Sequence, residues 1–288
     1  MAITTATRLP GDAPRASPAP PVLVVDDIVK RFETPDEIVT AVDHISFTVA
    51  PGEFLAVIGP SGCGKSTLFN IIGGLLDRYD GSVTVTGERL KGPHPSIGMV
   101  FQEESTFPWR TVTENVAFPL EITGVPKAER IERARHFIDL VGLTGFERRY
   151  PAELSGGMRQ RVAIARTLAS EPKILLMDEP FGALDEQTRL LLGDKVLQIQ
   201  DQLKQTCLLI THNITEAVQL ADRVLVMTYR PGTEKRIVPI ELPRPRTSEI
   251  VTSDAFGHYV AQILGDLREE ASRGMRDDEK HMLEEHKS

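Results

Sequence analysis

The chain has 288 residues, 41% of them hydrophobic and 26% charged, enough for one large α/β domain or two closely joined ones. A net charge of -8 and a pI near 5.5 weigh against a nucleic-acid-binding surface. No apolar run approaches the roughly 18 residues that a membrane-spanning helix needs, no secretory pattern opens the chain, and two cysteines cannot make a disulfide framework, so a reducing, cytoplasmic location is expected.

In chain order, residues 1–21 carry five prolines among Ala, Thr and Arg, a composition that buries no core and reads as a disordered leader. Order is expected to begin near Val22, with a strand over 22–25, a basic pair Lys30-Arg31 and then Phe32. After a short acidic loop, residues 45–49 alternate with period two, as a half-buried strand does, and Pro51-Gly52 turns the chain into the apolar run 54–58. Residues 82–86 and 97–100 are two further strands. From about 103 to 170 the pattern becomes helical, with Pro126 suited to the first turn of a helix through Arg130, Ala134, Phe137 and Val141. Strand returns at 173–177 and helix at 186–204, where Leu192, Val196, Ile199 and Leu203 mark one apolar face. Strand, helix and strand follow at 207–210, 213–220 and 223–227. The tail opens with the stiff Pro243-Arg244-Pro245-Arg246 and holds a helix over about 259–271, with Val260, Ile263, Leu264 and Leu267 on one side. Alternating strands and helices imply a mainly parallel, two-faced sheet.

The run Gly59-Pro60-Ser61-Gly62-Cys63-Gly64-Lys65-Ser66-Thr67 matches the phosphate-binding pattern G-x-x-x-x-G-K-[ST], between a buried strand and a helix start. Its glycines let the backbone curl and aim several N–H groups at one anion, and the helix start adds the positive end of its dipole. Lys65 can reach the β- and γ-phosphates of a nucleoside triphosphate, and the Ser66 hydroxyl can ligate Mg²⁺. A second apolar strand ends in Asp178-Glu179-Pro180. It would bring Asp178 towards Mg²⁺, and place Glu179 as general base for a water attacking the γ-phosphate. Leu154-Ser155-Gly156-Gly157-Met158-Arg159-Gln160 is a second anion-binding helix start, with Ser155 at the cap.

Phosphate loop, LSGGMRQ, Leu-Met-Asp-Glu-Pro and a following His resemble, in order and spacing, the ATP-binding cassette family over roughly residues 22–245. The resemblance implies a phosphate-loop NTPase core with a mainly parallel sheet, an antiparallel β subdomain and an inserted helical subdomain. It implies three parts: the leader 1–21, a nucleotide-binding domain over 22–242 with its insert at about 103–170, and a C-terminal extension over 243–288. By position, Gln102 matches the glutamine that ligates Mg²⁺ and senses the γ-phosphate, and His212 the histidine that contacts the γ-phosphate. Phe32 matches the aromatic that stacks on adenine, although a lone Phe suits a core equally well. Asp185 ends the Gly182-Ala183-Leu184-Asp185 loop, which in the family crosses a dimer interface; Gly182 replaces the more usual Ser.

Phe107-Pro108-Trp109-Arg110-Thr111-Val112, Asn115-Val116, Pro180-Phe181-Gly182 and Glu216-Ala217-Val218 look like the nitrate, sulfonate and taurine importers' ATPase subunits. Trp109, the only Trp, lies in the insert that would meet a membrane partner; a buried core aromatic is the plainer alternative. The implied protein is a peripheral ATPase on the cytoplasmic face of the membrane, using ATP and Mg²⁺. Its implied partners are a second ATPase subunit, a separate permease and, indirectly, an extracytoplasmic solute-binding protein, with no nucleic acid. The alternatives are a soluble cassette ATPase outside transport and an exporter ATPase.

Overall fold

The structure, a computed structural model, describes residues 19–35, 37–102 and 105–285. All but the last three residues of the expected leader lie outside the described residues, as does Glu103 at the expected start of the insert. The chain begins with two long strands, β1 (Leu23–Glu33) and β2 (Ile38–Val49), then β3 (Phe54–Ile58) and α1 (Lys65–Ile72). Next come β4 (Asp80–Val85), β5 (Glu88–Arg89) and β6 (Ile97–Val100), and then three helices: α2 (Val112–Ile122), α3 (Lys127–Leu140) and α4 (Gly156–Leu168). The second half runs β7 (Ile174–Asp178), α5 (Glu186–Leu203), β8 (Thr206–Thr211), α6 (Ile214–Leu220), β9 (Arg223–Met227), β10 (Glu234–Pro239) and α7 (Asp254–Glu285).

Two sheets result. An antiparallel one has the order β2-β1-β4-β5; the larger has the order β10-β9-β3-β8-β7-β6, parallel except for β10 at its edge. Period two explains why the central strands read as unbroken apolar runs. Phe54, Ala56 and Ile58 of β3 face one core, and Leu55 and Val57 face another. The same division splits Leu175 and Met177 from Ile174 and Leu176 in β7, and Leu209 from Leu208 and Ile210 in β8. One core takes in α2 to α6 and the start of α7; the other takes in α1 and the antiparallel sheet. Each such Val, Leu, Ile, Phe or Met side chain, lost from water, contributes about 1.5–3 kcal/mol.

Local chemistry sets the helix ends. Thr111 and Glu114 form a capping box at the start of α2. Pro126 stands at the N-cap of α3, one residue before the first turn that the sequence suggests. Of the apolar face expected on α5, Leu192, Val196 and Ile199 are buried, and Leu203 at the last turn is exposed. Three elements differ from expectation. β2 starts at Ile38 rather than at 45; β10 was not anticipated, because Glu234, Lys235 and Arg236 mask its alternation; and the tail helix begins at Asp254 and runs to Glu285. On α7, Ile263 is fully buried, and Val260 and Leu267 pack against the same core.

Candidate functional site

β3 and β7 both pair with β8, so the phosphate-loop strand and the carboxylate strand lie one strand apart with their C-terminal ends together. At the end of β3 the chain curls through Gly59 to Gly64 into α1, whose N-cap is Gly64 at φ 96°. A Cβ there would collide with the carbonyl oxygen of Ala41 on β2, so both the left-handed backbone and the close approach require glycine. Lys65 is 7% exposed; its Nζ donates to the carbonyls of Gly59 and Pro60, both at 2.8 Å. Ser61 and Ser66 are exposed, and Pro60 and Thr67 half-buried, along the loop and the first turn of the helix. The Cys63 thiol is buried, and burial pushes its pKa up while Lys65 pulls it back, which makes it a packing residue.

At the end of β7, Asp178 is half-buried and burial raises its pKa to about 6; the neighbouring Glu179 adds to the rise and Lys65 opposes it. Glu179 has φ 44°, an uncommon conformation for this residue type, and its N–H donates to Ile210 O on β8 at 2.8 Å. Its carboxylate is shared. Gln102 Nε2 donates to Oε2 at 3.3 Å, and His212 Nδ1 lies 3.0 Å from Oε1. Three strand ends therefore deliver Gln102, Glu179 and His212 to one point beside the loop: Gln102 follows β6, Glu179 follows β7 and His212 follows β8. Such a carboxylate, with Gln102 donating to one oxygen and His212 beside the other, is placed to accept a proton from water.

Ser155 caps α4, its hydroxyl accepting from Met158 N–H at 3.3 Å. Gly156 is half-buried and Gly157 buried, so tightly against Thr188 that a Cβ would stand 2.8 Å from its methyl group. Ser155 and Gly157 line a groove of about 310 Å³ with Met158, Arg161, Thr188, Leu191, Leu192 and Lys195; no phosphate-loop residue is among them. Asp185 caps α5, accepting from the N–H and hydroxyl of Thr188 at 3.0 and 2.7 Å, and these bonds hold its carboxyl below the usual range. Phe32, near the end of β1, is 37% exposed, with Lys30 Nζ 4.8 Å from its ring centroid.

Among the described residues no group of three or more His, Cys, Asp or Glu could hold a metal ion. Ser66, Gln102 and Asp178 offer oxygen donors, too few to close a shell; that fits Mg²⁺, which keeps waters and phosphate oxygens around it.

Two arrangements behind the site escaped the sequence reading. Arg189 on α5 donates to Leu184 O at 3.0 Å and lies 3.3 Å from buried Glu216, which accepts from Thr211 Oγ1 at 2.6 Å, next to His212. Arg166 on α4 donates to the carbonyl and hydroxyl of Ser105, both at 2.6 Å, so the helix that begins at Ser155 is tied to the segment after Gln102. Neither pair has a local sequence signal, because its partners are far apart along the chain.

A curled glycine loop between a parallel strand and a helix, with a carboxylate at the adjoining strand end, defines a phosphate-loop nucleotide-binding protein. A family model described as ABC transporter matches residues 42–182. An uncharacterised ABC transporter ATP-binding protein of Methanocaldococcus jannaschii is 51% identical over 88% of this chain and 94% of its own. The nitrate import ATP-binding protein of Synechocystis sp. is 44% identical over 85% and 95%. An aliphatic sulfonates import ATP-binding protein of Bacillus licheniformis is 47% identical over 78% and 86%. Among solved structures, a dimeric post-hydrolysis ATP-binding cassette bound to ADP and Pi superimposes with a TM-score of 0.66 at 31% identity, over 77% of this chain and all of the other. The chain belongs to the ABC transporter ATP-binding proteins, in the branch of the nitrate and sulfonate ATPases, and it binds and hydrolyses ATP.

Proposed function

We propose that the chain, through residues 22–242, drives an importer of a small solute of the nitrate, sulfonate or taurine class, with two copies closing on ATP. The observation that carries this reading is the division of the site. Lys65, Glu179, Gln102 and His212 stand together at the sheet end, whereas Ser155 and Gly157 line a groove of their own. A second copy, turned to face the first, would bring Ser155, Gly156, Gly157 and Asp185 to the nucleotide held by its partner.

In the closed pair, residues 59–67 hold the phosphates and Phe32 stacks on the adenine. Water attacks the γ-phosphorus, the bond to the ADP oxygen breaks, and the proton of the water passes to a Glu179 oxygen. Gln102 and His212 keep that carboxylate aimed, and His212 also meets the γ-phosphate. Mg²⁺, held by Ser66, Gln102 and Asp178, would neutralise phosphate charge. Among the described residues no helix is long and apolar enough to cross a membrane, so the pathway belongs to a separate permease. The ATPase sits against it from the cytoplasmic side, and a solute-binding protein delivers from the other. Trp109, 71% exposed, with the Phe107 ring 5.7 Å away and Arg110 beside them, is the surface offered to that permease.

The test mixes Lys65→Ala chains with Ser155→Arg chains, each inactive alone. In a composite arrangement one site of the mixed dimer collects both lesions and the other has neither, so mixing restores ATP hydrolysis. If each Ser155 serves its own chain, mixing restores nothing. Co-purification of a tagged chain with its permease separates the importer from a cassette ATPase outside transport.

A further inference from the structure

The turn between β9 and β10 lies backbone against backbone on the phosphate loop. Arg230 Nε donates to Gly62 O at 3.1 Å. Gly232 comes so close that a Cβ on it would collide with the carbonyl oxygen of Cys63. Gly232 also donates to Ala41 O at 3.1 Å and accepts from Asp43 N–H at 2.9 Å, which fixes the turn to β2.

From its other side the turn is gripped by the C-terminal helix. Glu270 on α7, 5% exposed, accepts from Tyr229 N–H at 3.0 Å and from Lys235 Nζ at 2.8 Å. Gly274 lies flat against the Tyr229 ring, so that a Cβ there would stand 2.7 Å from two ring carbons. Glycine weakens a helix interior, and here the ring contact accounts for it. An unbroken path of contacts thus runs from α7 through residues 229–230 to the loop that holds ATP.

We propose that Arg230 is a positioning residue of the ATP site and that α7 holds it in place, so the C-terminal helix tunes ATP affinity. The peptide group is planar, so a bond to the Gly62 carbonyl fixes the direction of the Cys63 N–H on its opposite edge. That N–H makes only a long bond of 3.4 Å to Pro60 O and is one of the loop donors a phosphate oxygen can take. A charged donor on the carbonyl also polarises the peptide, strengthening the N–H as a donor. The inference rests on ATP binding at the loop and is independent of whether the chain serves import.

The experiment measures the ATP dissociation constant, KM, kcat and melting temperature of the full chain and its variants. Arg230→Ala is expected to raise the dissociation constant about tenfold, the size of one lost charge-assisted hydrogen bond, with KM carrying most of the loss in kcat/KM. Arg230→Lys, without a rigid Nε–H, recovers only part. Glu270→Gln raises the constant about threefold, by the loss of one buried charged acceptor, and Gly274→Ala, which lifts α7 from the ring, does the same. The double variant Arg230→Ala/Glu270→Gln is no weaker than Arg230→Ala alone, because both act on one carbonyl. Arg236→Ala is the control: it removes another α7 contact, to Asp266 at 3.4 Å, and leaves affinity unchanged. An Arg230→Ala chain that binds ATP as the unaltered chain does overturns the proposal. So do effects of Arg230 and Glu270 that multiply, or an Arg236→Ala chain that loses affinity in step with its melting temperature.

Discussion

The sheet end and the start of α4 both carry site residues, yet they are built in opposite ways. Around Lys65 and Glu179, β3 and β8 are buried along their whole length and β7 up to Asp178, and the functional groups sit at the ends of these strands. Around Ser155, the groove is open, Leu191 is 61% exposed and the cap is a single bond of 3.3 Å. One region is finished within the chain. In the proposed dimer the other presents a surface that a second copy completes. Chemistry that depends on fixed distances belongs with the first, and assembly with the second.

The largest effect expected from separating these regions is at the base. Glu179→Gln keeps the shape and the contact with Gln102 but cannot take a proton, so kcat for ATP falls by about 10²–10⁴ while ATP binding persists; a steady-state assay beside a binding isotherm reads both. Next is the scaffold. Leu209→Ala, in β8 between the loop strand and the carboxylate strand, removes a fully buried side chain and is expected to cost about 2–5 kcal/mol in denaturant unfolding. Smaller again is a pH effect. The folded Asp178 titrates near 6 against about 4 unfolded, so the folded chain holds the proton more tightly across that window. The contribution of Asp178 to the stability of the nucleotide-free chain therefore falls as pH rises from about 4 to about 6. Asp178→Asn flattens this slope and stabilises by about 1 kcal/mol at pH 8, once its part exposure is discounted. The smallest effect on folding falls on the open region: Leu191→Ala shifts stability by less than about 0.5 kcal/mol. It nevertheless weakens ATP-driven association measured by light scattering.

What could be read in the sequence follows from distance along the chain. The phosphate loop, Asp178-Glu179 and the Ser155 cap each lie within a few residues, so local pattern announces them. The nucleotide-binding α/β fold was legible from strands that alternate with helices. Glu216 with Arg189, and Arg166 with Ser105, are 27 and 61 residues apart and leave no local mark. The charged strand β10 was hidden for a related reason: its Lys235 pairs with Glu269 and Glu270 of α7 rather than with water. Nothing local in the sequence tells what Gly232 and Gly274 admit, a carbonyl in one case and an aromatic ring in the other.

The placing of β8 between β3 and β7 has a further consequence. Neighbouring strands in a sheet lie about 4.8 Å apart, so the interval between the phosphate cradle and the carboxylates is two such steps, about 9–10 Å. An interval counted in strands comes only in whole steps. It cannot be lengthened by half an ångström through a loop substitution, and a step added or removed is a different fold. The spacing between β3 and β7 is therefore a fixed feature of the fold. Diversity among such proteins has to be written elsewhere, on surfaces where distances can still be chosen.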